Sequence, residues 1–182
     1  MRDSRATALA LTSVCVLAAG CGPGSDAGDA ENAEAPSDSV AAAPAVALPD
    51  TTAAALWAHL QTVDYRQSWS LWPGKDSLYA GSEPHGMLLT TYANEVAHGA
   101  LLGGTVANLP NGSIIVKENY MPDSTFAGAT VMYKVSGYNP NHRDWLFAKF
   151  DPQGTPEDFG RAPMCEACHQ QAPSGYIYTA VP

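Results

Sequence analysis

Apolar residues first recur at a helical period where Leu56, Leu60 and Val63 fall on one face, with Trp57 beside them. Asp50-Thr51-Thr52 stand directly before this run and offer side-chain oxygens to the free N–H groups of a first turn, so a helix is predicted. Between Tyr65 and Gly81 no period holds; Trp69, Trp72 and Pro73-Gly74 predict irregular chain pinned by aromatic side chains. Gly86 to Tyr92 reads as a strand, and Asn94 opens a short helical pattern that runs to Leu102. After the turn Pro110-Asn111-Gly112 come three β-rich runs, Ser113–Tyr120, Ala129–Ser136 and Trp145–Phe150. Their connections, Met121–Ser124 and Gly137–Asp144, are turn-rich and short, which predicts an antiparallel meander. Asp151-Pro152-Gln153-Gly154 makes a further turn, and a short helix is expected before the C-terminus. The expected fold class is α+β, an antiparallel β-sheet with packed helices.

The first 21 residues read differently. Arg2 and Arg5 precede an apolar run from Ala6 to Ala19, broken only by Thr7, Thr12 and Ser13 and followed by Gly20-Cys21. This is the pattern of a secretory signal and is too short for a stable membrane span. Leu17-Ala18-Ala19-Gly20-Cys21 resembles a bacterial lipobox, in which the cysteine is lipidated after cleavage; Cys21 would become the anchor and Cys15 would leave with the signal. Ala18 stands where that pattern prefers Leu, and a plain signal cleaved nearby is the alternative. Residues 22–50 hold Gly, Pro, Ser, Ala and the acids Asp26, Asp29, Glu31, Glu34, Asp38 and Asp50, with no Lys or Arg. Such a stretch buries too little apolar surface to offset its ordering entropy, and is expected to be a disordered acidic tether. The remaining residues, 51–182, suffice for one domain with a single core. With seven Lys and Arg against eleven Asp and Glu and no basic stripe, that domain is a poor partner for nucleic acid.

Chemistry concentrates in Cys165-Glu166-Ala167-Cys168-His169, a C-x-x-C-H run. Two thiols at this spacing can each add across a haem vinyl group, and the adjacent imidazole then binds iron from one side. Cys165 and Cys168 are the expected attachment residues, His169 the expected metal ligand, and the short C-terminal helix the haem-attachment helix. Two other uses of a cysteine pair stand beside this one. A zinc site needs four ligands, and Cys15 and Cys21 lie in the separate N-terminal segment. A thioredoxin-type dithiol normally follows an early strand of a βαβ unit, which this C-terminal setting does not resemble.

Position narrows the haem reading. Small mono-haem cytochromes of the commonest class carry C-x-x-C-H near the start of a helical chain, and the four-helix cytochromes c′ carry it near the end of one. Here it ends a strand-rich chain. Together with Tyr65-Arg66-x-x-Trp69, Pro84-His85-Gly86, the run Leu109 to Glu118 and the aromatic strand at Trp145, the chain from Ala53 to Val181 resembles the cytochrome P-460 and cytochrome c′-beta family. The resemblance implies a β-sheet with helices packed on it, one covalent haem c, and a periplasmic protein that meets small nitrogen oxides. In the hydroxylamine-oxidising members, a lysine in a Gly-x-x-x-Val-Lys-Glu strand is bonded to the haem macrocycle, and Lys117 of Val116-Lys117-Glu118 matches it. The bland alternative is a strand lysine with its amine in water.

Period-two alternation puts Ile115 and Lys117 on one face and Ile114, Val116 and Glu118 on the other, and an amine beside apolar surface is more readily neutral. Lys134, which shares a face with Met132, is a weaker candidate. For the sixth position of iron, Met87, Met121, Met132, Met164, His59, His85, His98 and His142 are all conceivable, while the resemblance favours an open position. Phe126, Tyr133, Phe147 and Phe150 are expected either as lining or equally as core residues, and His85 is the histidine expected nearest the haem, as a proton relay or propionate partner. Glu118 and Glu166 adjoin matched motifs, but no distal acid is assigned.

Three functions follow. An enzyme would oxidise hydroxylamine, with Lys117 tuning the macrocycle and His85 moving protons. A non-enzymatic cytochrome c′-beta-like protein would bind nitric oxide at five-coordinate haem. A periplasmic electron carrier would need a sixth Met or His ligand. The expected setting is the periplasmic face of a bacterial membrane, reached through the lipid anchor, with an electron-accepting cytochrome as partner; the resemblance adds a homodimer.

Overall fold

A computed structural model describes residues 47–182. The expected signal over 1–21, including Cys21, and the tether of 22–50 as far as residue 46 lie outside the described residues. Helix α1 (Ala53–Thr62) forms where the period puts it: Thr52 Oγ1 accepts a hydrogen bond from the Ala55 N–H at 3.2 Å, and Leu56 and Leu60 are fully buried. The stretch Tyr65–Gly81 is more ordered than its pattern predicts. It holds α2 (Tyr65–Ser68) and two short strands, β1 (Ser70–Leu71) and β2 (Tyr79–Ala80), which pair antiparallel with opposite ends of β3 (Leu88–Ala93). Two residues are too few to display an alternation, so the pairing rests on β3 rather than on local pattern.

Asn94 caps α3 (Glu95–Leu102) and ties it to the sheet. Its Oδ1 accepts from Ala97 N and Ile114 N, both at 3.0 Å, and its Nδ2 donates to the Gly112 carbonyl at 2.8 Å. Three strands then run as a meander: β4 (Ile114–Tyr120), β5 (Phe126–Lys134) and β6 (Trp145–Phe150), with a 3-10 turn at Pro140–His142 before β6. β5 starts three residues earlier than its β-rich run and ends two earlier. Gly128 (φ +135°) lets the chain continue as strand, since a Cβ there would sit 2.4 Å from the Phe150 carbonyl oxygen. A strand absent from the sequence reading, β7 (Pro156–Gly160), pairs with β6 at the sheet edge; Pro as its first residue is tolerated there because no ladder bond is required of it. Helix α4 (Pro163–His169) carries the C-x-x-C-H run, as expected. The result is an α+β fold with a seven-stranded antiparallel sheet in the order β1-β3-β4-β5-β6-β7, β2 lying beside β3.

Both faces of the sheet are covered, which accounts for nearly unbroken burial along β4 to β6. One face presents Ile114, Val116, Ala129, Val131, Leu146 and Phe150 to Leu56 and Leu60 of α1. On this face Glu118 is 1 % exposed and fully occupied: it accepts from Tyr65 OH at 2.7 Å, Arg66 Nε at 2.5 Å and Tyr120 OH at 2.6 Å. The opposite face presents Ala93, Ile115, Met132 and Phe147 to α3, Trp72, Leu109 and the C-terminal segment at Tyr176 and Ile177. Register decides which side chains reach which layer, because a one-residue slip of β4 would exchange Lys117 for Val116.

Candidate functional site

On the second face, the sheet and the C-terminal segment part to leave a cavity of about 940 Å³. Leu89, Ile115, Met132 and Phe147 form its sheet wall, Trp72 and Ile177 flank it, and Cys165, Cys168 and His169 enter from α4. The two cysteines are three residues apart on a helix and therefore share a face. Both thiols are free; Cys165 is half-buried, and desolvation followed by the Asp158 charge pushes its thiol pKa up. His169 ends the helix. Its Nδ1 lies 2.7 Å from the Tyr176 carbonyl oxygen, which can only accept, so the proton sits on Nδ1 and Nε2 keeps its lone pair. Burial holds the ring's pKa below the ordinary histidine value, favouring this neutral form.

Lys117 and His85 line the same cavity, so all five residues that the sequence singles out in the folded domain meet there. Desolvation lowers the Lys117 ammonium pKa, and among the described residues Lys117 makes no ion pair. His85 is pushed down to about 4, first by burial and then by the neighbouring Lys117 and His169. Its Nδ1 lies 3.3 Å from Thr130 Oγ1, and that hydroxyl donates to the Lys117 carbonyl, also at 3.3 Å. Thr130 has one proton to give; it therefore accepts from His85 Nδ1–H, and Nε2 of His85 is the nitrogen with the lone pair. The His85 and His169 ring centroids are 6.3 Å apart with planes at 84°.

Several expectations are corrected by strand parity and packing. Of the four aromatic residues expected as lining, only Phe147 lines the cavity, its ring 5.3 Å from that of His169; Phe126, Tyr133 and Phe150 pack on the α1 side. Lys134 is turned away, donating to the Arg143 carbonyl with its Nζ 5.0 Å from the Trp145 ring. Met87, Met121 and Met164 are exposed, although Met164 also borders the cavity that Met132 and His85 line; His59, His98 and His142 do not line it. Neither Glu118 nor Glu166 reaches it: the first is bound on the far face, the second turns back to Asn139 at 2.6 Å. The carboxylates that do line it are Glu83 and Asp158, and Lys149 and Lys75 are there as well. Lys149 was legible, since it shares a period-two face with Phe147 in β6; Glu83 and Asp158 come from a loop and an edge strand without a pattern.

The residues fit a covalently held haem. Two thiols stand one helical turn apart beside an imidazole whose outer nitrogen is free, and the space they face is largely apolar and within the usual range of about 300–1,000 Å³ for cofactor pockets. A zinc centre fits less well, because among the described residues no group of three or more His, Cys, Asp or Glu side chains gathers to hold an ion. Residues 64–179, from the residue before α2 to the C-terminal segment that lines the cavity, match the family model for cytochrome P460. Comparison with curated proteins finds no match. With the match spanning the sheet, the cavity and the attachment helix together, the chain belongs to the cytochrome P460 family and is a c-type haem protein.

Proposed function

We propose that this protein carries one covalent haem c through Cys165, Cys168 and His169, and handles hydroxylamine or nitric oxide in the cavity beside Lys117 and His85. Haem held there supplies a redox-active iron to which small nitrogen oxides bind. The observation that carries the reading is Lys117: a desolvated amine without an ion-pair partner among the described residues, in the same cavity as the attachment thiols. Burial favours its uncharged form, whose lone pair is what a bond to the ring requires. His85 holds a lone pair at Nε2 and, with its pKa pushed down to about 4, is neutral over the physiological range, so it would meet a substrate's proton as a weak acceptor rather than as an acid. Lys75, whose Nζ lies 5.3 Å from the Tyr79 ring, is a lining cation available to a carboxylate of the cofactor, whereas Lys149 is already paired with Glu157 at 2.8 Å. Export by the segment 1–21, anchoring through Cys21 at the periplasmic face of a membrane, an electron-accepting cytochrome and a homodimer complete the proposal.

The first test is the ferrous absorption spectrum of protein matured with haem-attachment machinery. A strongly red-shifted Soret band that reverts in Lys117→Ala, together with loss of hydroxylamine turnover, supports the enzyme. An ordinary high-spin c-type spectrum, unchanged in Lys117→Ala, would remove the cross-link and leave nitric oxide binding. A second reading is favoured by the 6.3 Å separation of the His85 and His169 rings, each with Nδ1 engaged: His85 would then supply iron with a second protein ligand, as in an electron carrier. Ready carbon monoxide binding by the reduced protein would dismiss it.

A further inference from the structure

The loop that follows the attachment helix contains a tyrosine in an unfavourable backbone conformation. Ser174 and Ile177 bridge as a tight turn, with the Ile177 N–H donating to the Ser174 carbonyl at 2.8 Å, and the two central residues are both left-handed: Gly175 at φ +56° and Tyr176 at φ +78°. A turn with two positive φ values favours Gly or Asn at each centre, so a tyrosine there is strained. Gly175 suits its place, since a Cβ would stand 2.0 Å from the Ala107 carbonyl oxygen. Turn chemistry does not account for Tyr176.

Its contacts do. The Tyr176 carbonyl accepts from His169 Nδ1 at 2.7 Å, and its hydroxyl lies 3.1 Å from His142 Nδ1. The other nitrogen of His142 lies 3.4 Å from Glu166 Oε2, which sets the tautomer: Nε2–H faces the carboxylate and Nδ1 accepts from the tyrosine hydroxyl. Glu166 is buried within C-x-x-C-H itself, three residues before His169, and its Oε1 accepts from Asn139 Nδ2 at 2.6 Å. The contacts close a ring that leaves α4 at Glu166, passes through His142 and Tyr176, and returns to α4 at His169. Trp145 Nε1 bonds the neighbouring Gly175 carbonyl at 3.4 Å and braces the same loop from β6.

We propose that Tyr176 is a positioning residue for His169, held in its left-handed turn by Glu166 through His142. The proposal rests on His169 being the haem ligand. An acceptor on Nδ1–H fixes the ring's rotation about its bond to the chain and strengthens the electron donation of Nε2. Glu166, the first residue between the two cysteines, thereby acts on the metal from behind without touching it.

The test uses the mature, haem-loaded protein and two readouts: the reduction potential of the attached haem and, where the iron is five-coordinate, the iron–histidine stretching band of the ferrous form. Tyr176→Phe removes only the hydroxyl, and His142→Leu breaks the ring at its middle should the first variant fold poorly. Both are expected to raise the potential and lower the stretching frequency, with Glu166→Gln shifting them less in the same direction. Asn94→Ala, which loosens the fold without removing any contact of this ring, is expected to leave both unmoved. Unchanged readouts in Tyr176→Phe and His142→Leu would overturn the proposal, as would an equal shift in Asn94→Ala, because loosening alone would then explain it. Failure of the parent chain to take up covalent haem, visible as an unstained band on a denaturing gel, would overturn the haem reading and this proposal with it.

Discussion

Replacing Glu118 by Gln changes one atom type and little volume, yet the surroundings admit only an acceptor. The carboxylate is 1 % exposed and receives three donors: Tyr65 OH and Arg66 Nε on Oε1, and Tyr120 OH on Oε2. The amide keeps one oxygen and brings an NH₂ group that must face donors. Hydrogen bonds to a charged group contribute about 1.5–3 kcal/mol each, and a buried donor left without a partner costs about 1–3 kcal/mol. The Arg66 side chain is 43 % exposed and recovers water, so its share is discounted. Loss of one tyrosine bond, with weakening of the other, then costs about 2–4 kcal/mol, against the roughly 5–15 kcal/mol that holds a domain folded. Denaturant unfolding of the haem-loaded protein, followed by tryptophan fluorescence, should show a lower midpoint at unchanged slope. The amide oxygen satisfies most donors at the Oε1 position, which leaves its NH₂ facing Tyr120; combining Glu118→Gln with Tyr120→Phe should therefore cost clearly less than the sum of the two single changes, since both remove the same bond. A loss below about 1 kcal/mol, or strict additivity, would refute the account of this cluster as one charged, desolvated unit.

Asn94→Ala should destabilise by about 2–3 kcal/mol in the same assay, from three lost hydrogen bonds of which one is a helix cap. Stability should also fall in alkali. Desolvation, then the hydrogen bond and charge of Glu118, raise the Tyr65 pKa above its ordinary 10.0, and Tyr120 shifts the same way for the same reasons. Below pH 10.0 both phenols keep their protons folded or unfolded, so no dependence arises; above it the unfolded chain loses them first and unfolding becomes easier. The slope should approach about 1.4 kcal/mol per pH unit for each phenol, over a narrower span of pH for the more exposed Tyr120, and Tyr65→Phe should reduce it. Denaturant titrations at several alkaline pH values check this.

Local chemistry was legible wherever its cause was local. Thr52 and Asn94 cap helices because their own side chains reach the next turn, and the alternation in β4 separates Ile115 and Lys117 from Val116 and Glu118 whatever the strand pairs with. Cys165, Cys168 and His169 carry their chemistry in their spacing along one helix. What the alternation alone did not determine is which face of each strand meets the cavity. Phe147 and Phe150 lie on opposite faces by parity, but only the pairing of Met132 with Phe147 and of Ile115 with Met132 puts Phe147 on the cavity face that Ile115 and Lys117 share. β7, with Pro156, Glu157 and Asp158, is a strand solely because β6 offers it an edge. The roles of Glu118 and Glu166 were decided in the same way: neighbouring a motif assigned them none, and packing turned one toward Tyr65 and Arg66 and the other toward Asn139 and His142. The sequence by itself determined the helix caps, the strand faces and the attachment motif, because bonds within a turn and side-chain alternation act over a few residues. Only the tertiary structure decided the cavity, its carboxylates and the bracing of Tyr176 by His142, because each depends on contacts between segments tens of residues apart.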